Sequence, residues 1–213
     1  MKTTATTATA TDGPAARLAL TRNEALICTR LPSARSQSNF RAGRLAAKRA
    51  VADVVGCRSS RRIEVCSRAD GSPRPSLLDR RGRGRETRIQ LSISHRDGRA
   101  AAAAAPAGVR VGIDLERATA VPLHLAAYFL TRSERALATA CDPTLLWSFK
   151  EAAWKALGLG GSVPFKALEL RCGDAGELLG VRVRGELLPM HARTGTPWPG
   201  YHVVVVWTTG GAA

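Results

Sequence analysis

Two carboxylates spaced two residues apart in a strand-like segment, and a carboxylate and an ammonium one turn apart in a helix-like one, are the groups of this 213-residue chain best placed to do chemistry. In VRVGIDLE at 109–116, alternation sends Val109, Val111, Ile113 and Leu115 to one face and Asp114 and Glu116 to the other, about 6 to 7 Å apart along the strand. Such spacing suits chelation of a hard cation by oxygen donors; the plainer use is a polar strand face turned to water. In TLLWSFKEAAWKAL at 144–157, Leu146, Phe149, Ala153 and Ala156 form an apolar stripe, while Trp147, Glu151, Trp154 and Lys155 share another side. Glu151 and Lys155 could be a surface ion pair, or an acid and a base serving one site. His95, in SISHRDG at 92–98, falls at a strand end before a glycine turn, where ligand-facing side chains are often carried.

The elements that must position these groups repeat along the chain. AAKRAVADVVG at 46–56 aligns with SFKEAAWKALG at 148–158 at an offset of 102, matching Lys48 with Lys150, Ala50 with Ala152 and Gly56 with Gly158. A strand-like segment follows each, Ile63-Glu64-Val65 and Leu168-Glu169-Leu170. LTRNE at 20–24 resembles LTRSE at 130–134, but its offset of 110 departs from the others and sets it outside the repeat. Where the second copy has Glu151 and Lys155, the first has Arg49 and Asp53. A fold-keeping role would recur in both copies, so the difference favours one site built in the second half.

Helical periodicity predicts helices over 39–55, ending at Gly56, over 131–139 and over 144–157; strands are expected at 63–65, 89–94, 109–116 and 201–207. The alanine run before Pro106 is left unassigned. Asp70-Gly71-Ser72-Pro73-Arg74-Pro75 reads as turns, and RRGRGR at 80–85 as a basic loop, with no aromatic residue interleaved for base stacking. Thr/Ala-rich residues 1–16 read as a disordered tail. The expected fold class is α+β: a pseudo-twofold arrangement of two similar α/β halves, each a small, mainly antiparallel sheet with a long helix. The halves are set at 17–108 and 109–213, the second carrying the metal site, and a monomer completes the cleft from its own two halves.

Composition narrows the classes. The net charge is +15, carried mainly by arginine, and only Lys2, Lys48, Lys150, Lys155 and Lys166 are lysines; such a surface attracts polyanions. Five scattered cysteines, Cys28, Cys57, Cys66, Cys141 and Cys172, lack CxxC spacing and indicate neither a disulfide framework nor a zinc site. With no long apolar run and no signal-peptide pattern, the expectation is a cytoplasmic protein with no membrane partner.

VGIDLE at 111–116 and WSFKEAAWKALG at 147–158 resemble, in order, the G-x-D-x-E and W-x-x-K-E-A-x-x-K-A motifs of the 4′-phosphopantetheinyl transferase superfamily, in particular its single-chain, two-half Sfp type. FRAGRLAAKRA at 40–50, LSISH at 91–95, FLTRSE at 129–134 and GLGGSVPF at 158–165 add to the resemblance, which runs from about Phe40 to Trp207. It implies transfer of phosphopantetheine from coenzyme A to a serine of an acyl or peptidyl carrier protein of fatty-acid, polyketide or nonribosomal-peptide synthesis. It further implies Mg²⁺ held by Asp114, Glu116 and Glu151, with Lys155 on the cofactor's phosphates, Lys150 also binding the cofactor, Ser94 and His95 on its 3′-phosphate, and Arg44 with the Gly71 to Pro73 turn near the adenosine. Gly71-Ser72-Pro73 departs from the family's glycine, basic residue, proline order. Glu151 is the candidate base, and Lys155 steadies the leaving group. The competing readings are a basic RNA- or DNA-binding protein, which leaves the carboxylates unexplained, and a magnesium-dependent phosphoester hydrolase; on the transferase reading nucleic acid is not a partner.

Overall fold

The computed structural model describes residues 5–119, 123–138, 142–160, 163–173 and 177–208. Cys141, the Thr139 end of the helix expected at 131–139, and Gly161-Ser162 of the GLGGSVPF match lie outside them. The chain divides into two compact units, Met1–Ala107 and Gly108–Ala213. It is α+β, and every strand pairing among the described residues is antiparallel.

In the first unit, β1 (Thr6–Thr11), β6 (Arg99–Ala105) and β5 (Gln90–Arg96) form one sheet in the order β1-β6-β5. A second sheet has the order β2-β3-β4, from β2 (Ile63–Ser67), β3 (Pro73–Leu78) and β4 (Gly84–Glu86). Two short helices, α1 (Pro14–Leu18) and α2 (Arg22–Thr29), precede the long α3 (Ala34–Val55). This helix starts five residues earlier than periodicity indicated, because Ser33 caps it by accepting from the Ser36 amide at 3.1 Å in a reciprocal capping box. Gly56, at φ 65°, ends it in the left-handed conformation that a residue lacking Cβ adopts without strain.

The disordered tail expected over 1–16 is overturned by β1, which pairs residue for residue with β6 from Thr6↔Ala104 to Thr11↔Arg99. Ala10 is buried in the core with Ala100 and Ala102, and Asp12 accepts two bonds from Arg41 at 2.7 and 2.5 Å. The first unit therefore begins before Arg17. Composition misled here because alternating Thr and Ala suits a pleated edge strand. The unassigned alanine run is β6 itself, the central strand of its sheet, with Ala100 to Ala105 fully buried.

The second unit is a five-stranded sheet in the order β7-β11-β10-β9-β8, made of β7 (Val111–Arg117), β8 (Leu168–Cys172), β9 (Leu178–Val183), β10 (Glu186–Trp198) and β11 (Tyr201–Thr208). It also holds α4 (Leu123–Ala126), α5 (Arg132–Leu137) and the long α6 (Pro143–Leu157). Asp142 caps α6, Pro143 occupies its first turn, and Gly158 at φ 63° closes it. Leu146, Ala153 and Ala156 of α6 pack with Val204 and Val206 of β11 and with Leu168 and Val181. No described helix is long and apolar enough to cross a membrane.

LTRNE and LTRSE, set outside the repeat by their offset, occupy equivalent places. Thr21 caps α2 in a capping box with Glu24, as Thr131 caps α5 with Glu134. The different offset comes mainly from the long helix, which runs from Ala34 to Lys48 in the first unit but only from Pro143 to Lys150 in the second.

Candidate active site

Gly112, Asp114 and Glu116 share one face of β7, and that face meets α6. A Cβ on Gly112 would stand 1.8 Å from the Ala152 carbonyl oxygen and 2.7 Å from the Ala156 nitrogen, so only glycine lets the helix lie directly on the strand. Two residues further along that face, the buried Asp114 meets the side of α6 that carries Glu151 and Lys155. The Lys155 ammonium lies 2.7 Å from Asp114 Oδ1 and 3.7 Å from Glu151 Oε2, and it donates to the Ile113 carbonyl at 3.3 Å. One cation is thus shared by carboxylates from strand and helix. Glu116 is half-buried on the same strand face, across from His202 of β11.

Burial pushes the Glu151 carboxyl above the usual carboxylate range, the negative charge of Asp114 adds to that, and Lys155 opposes it. A half-buried carboxylate raised in this way is a stronger proton acceptor than an exposed one. Among the described residues no three of the carboxylate, imidazole and thiolate side chains stand together as a ready metal site. The expected trio of Asp114, Glu116 and Glu151 is therefore not gathered as such. Lys155, between Asp114 and Glu151, relieves their mutual repulsion. The donors are nonetheless all oxygen, the chemistry a hard divalent cation takes.

Lys150 requires a correction. The resemblance makes it a cofactor-binding residue, yet its side chain is fully buried and its ammonium donates to both Glu134 oxygens, at 2.9 and 2.7 Å. An ammonium so enclosed is held by its internal carboxylate and has no path to a ligand. Trp147 and Trp154, grouped with Glu151 by spacing, turn instead to Phe165, at ring separations of 4.7 and 5.5 Å.

In the first unit, Arg44 and His95 line a cavity of about 250 Å³ together with Asn39, Phe40 and Ile93. The Arg44 guanidinium lies 4.2 Å above the Phe40 ring, and its Nε is buried with no hydrogen-bond partner among the described residues. Burial lowers the Arg44 pKa, but an arginine stays charged, so the cavity presents a cation. Ser94 was expected beside His95 on one ligand. Strand alternation instead puts its buried side chain on the opposite face of β5 from His95, so the cavity receives His95 alone. Gly71, at φ 82°, and Pro73, the first residue of β3, belong to the β2–β3 turn and do not line that cavity. A larger cavity of about 620 Å³, lined by Leu145, Phe149, Leu178 and His191 among others, opens on a different face of α6 from Glu151 and Lys155.

Sequence reasoning missed His202. It is buried on β11 with its Nε2 3.0 Å from Ser148 Oγ of α6, and burial holds its pKa below the ordinary histidine range. The signal was its parity with the inward-facing Val204 and Val206, which makes it a polar group at a core position.

Residues 110–196 match the sequence profile of the 4′-phosphopantetheinyl transferase superfamily, a span that holds Asp114, Glu116, Glu151 and Lys155. Over these residues the chain is similar to that superfamily. Among solved structures, the chain is similar to holo-acyl-carrier-protein synthase from Thermotoga maritima, with 24% identity and a TM-score of 0.39 over 47% of this chain and 63% of that one. It is likewise similar to holo-acyl-carrier-protein synthase from Neisseria meningitidis, with 25% identity and a TM-score of 0.38 over 49% of this chain and 98% of that one. The alignment thus spans under two thirds of the Thermotoga protein's length. Comparison with curated proteins returned no match. The superfamily match lies wholly in the second unit, where β7 and α6 bring the acid and base together.

Proposed function

We propose that this chain transfers the 4′-phosphopantetheine group of coenzyme A to a serine hydroxyl of an apo acyl or peptidyl carrier protein, as a single-chain Sfp-type enzyme acting as a cytoplasmic monomer. The observation that carries this reading is the Asp114, Lys155 and Glu151 group on β7 and α6, inside the matched span. In the reaction the serine oxygen bonds to the β-phosphorus of coenzyme A, the pyrophosphate bridge to the α-phosphate breaks, and 3′,5′-ADP leaves. The serine proton passes to Glu151, which burial makes a stronger proton acceptor than an exposed carboxylate. The partly exposed ammonium of Lys155 can turn from Asp114 to the departing phosphate and neutralise its charge. Asp114, Glu116 and Glu151 would hold Mg²⁺, which when bound supplies further neutralisation of the pyrophosphate. Arg44 and His95 fit the role of holding the anionic nucleotide end of the cofactor, with the orphaned Arg44 Nε as a donor.

Incubation with coenzyme A, Mg²⁺ and an apo carrier protein, read by intact mass, tests the reading. The carrier should gain one phosphopantetheine, dependent on Mg²⁺. A panel of carriers from fatty-acid, polyketide and nonribosomal-peptide synthesis assigns the physiological class, and no gain on any of them would refute the proposal. Release of phosphate or nucleotide without carrier modification would favour a magnesium-dependent hydrolase instead.

A further inference from the structure

Among the described residues, each unit contains one fully buried lysine and one fully buried glutamate, and the two pairs are built alike. In the second unit, Glu134 accepts from the Thr131 amide at 2.7 Å through Oε2, from the Leu170 amide at 2.8 Å through Oε1, and from Lys150 Nζ through both oxygens. In the first, Glu24 accepts from the Thr21 amide at 2.8 Å and from Lys48 Nζ at 2.6 Å through Oε2, and from the Val65 amide at 2.9 Å through Oε1. Lys48 also donates to the Ala19 carbonyl at 2.6 Å. One carboxylate therefore ties three elements together: the start of a short helix, the middle of the long helix and the following strand. All four side chains are 0% exposed.

A knot of this kind fixes more than attachment. Apolar packing tolerates small slides of a helix along its axis, whereas a charged pair with every acceptor taken does not, because displacement leaves a buried charge short of partners. Each long helix carries its functional side chains close to the knot. Arg44 stands one turn before Lys48 on α3, while Glu151 follows Lys150 directly on α6, with Lys155 just beyond.

We propose that the two knots are positioning devices with separate duties, Glu24–Lys48 setting Arg44 for cofactor binding and Glu134–Lys150 setting Glu151 and Lys155 for the chemical step. The assignment of duties rests on the transferase reading above. Lys48, Lys150, Glu24 and Glu134 are positioning residues, since none of them reaches a ligand.

Removing both charges of a knot avoids stranding one buried ion, so the variants are Glu24→Gln with Lys48→Met, and Glu134→Gln with Lys150→Met. The glutamine oxygen can still accept from the strand amide. Steady-state transfer is measured for both, alongside Ile63→Val and Leu168→Val as core controls for simple destabilisation. The second-unit variant should lose about tenfold or more in kcat, because small misplacements of catalytic groups are costly, with KM for coenzyme A within about threefold of the wild type. The first-unit variant should show the converse, KM raised roughly tenfold and kcat within about threefold. Folded variants whose kcat and KM stay within about twofold of wild type, or which shift both parameters alike as the controls do, would reduce the knots to fold-keeping and overturn the proposal. If the wild type transfers nothing, the transferase reading falls separately and calorimetry with coenzyme A decides. Binding weakened roughly tenfold in the first-unit variant alone supports positioning, and equal affinity in both variants, or no binding to the wild type, refutes it.

Discussion

The two units use one plan for different ends. Each has a threonine-capped short helix, a buried Lys–Glu pair, a long helix closed by a left-handed glycine, and a strand held by the same glutamate. At matching places on the long helix the plans diverge: α3 offers Arg49 and Asp53 where α6 offers Glu151 and Lys155. The contact with the sheet diverges too. Gly43 of α3 leaves van der Waals room before Ile93, whereas Gly112 of β7 brings strand and helix backbones together. Residues present in both units hold the fold, and those present in one hold the candidate site. By that criterion Lys150 belongs with Lys48.

The largest effect should come from breaking the shared part. Lys48→Met and Lys150→Met each strand a buried glutamate, and each should cost about 3 to 5 kcal/mol of stability. Urea or thermal unfolding of the two variants measures it. A Lys150→Met protein as stable as wild type would mean that the pairs are not equivalent, and would return Lys150 to the list of ligand-facing residues.

Next comes the part that is not shared. Glu151→Gln keeps the side-chain volume and should lower transfer by about a hundredfold or more while leaving the unfolding midpoint unchanged. Arg49→Gln, at the matching place on α3, should leave transfer within about twofold. Activity of the Glu151 variant within about threefold of wild type would remove that residue from the proton transfer.

What the sequence made legible was local. Strand alternation placed Asp114 and Glu116 on one face, and helical spacing placed Glu151 beside Lys155, because both periodicities act within a few residues. The missing pieces depended on partners distant in the chain. β1 is a strand because β6 lies alongside it, and composition alone describes its Thr and Ala as tail. Lys150 reads as a surface cation until Glu134 closes on it. Ser94 is an instructive error of another kind, since alternation already separated its side chain from that of His95. His202 was legible in principle, as a polar residue in phase with inward valines.

A smaller effect concerns the cavity of the first unit. If His95 and Arg44 hold the 3′-phosphate, wild type should prefer coenzyme A over its dephospho form by one charge-assisted contact, about 1.5 to 3 kcal/mol. His95→Ala should erase much of that preference. The ratio between the two cofactors reports one contact, whereas lost activity alone could arise from many causes. Unchanged discrimination would leave the reading of that phosphate to Arg44 or Arg74.

The smallest expected change lies at the helix–sheet contacts, where the same substitution should act in opposite senses in the two units. Gly112→Ala forces a methyl group into the Ala152 carbonyl, and since neither backbone can yield alone, α6 must lift from β7. A loss of about 1 to 3 kcal/mol is expected, with transfer falling as Glu151 and Lys155 move away from Asp114. At Gly43 the new methyl would meet Ile93 Cγ2 at 3.4 Å and His95 Cδ2 at 4.0 Å, distances that a side chain can accommodate. Alanine also favours the interior of α3 over glycine by up to about 1 kcal/mol. Gly43→Ala should therefore be neutral to mildly stabilising in thermal unfolding. A Gly43→Ala loss as large as that of Gly112→Ala would show that α3 lies on β5 as tightly as α6 lies on β7, and the contrast between the two packings would be lost.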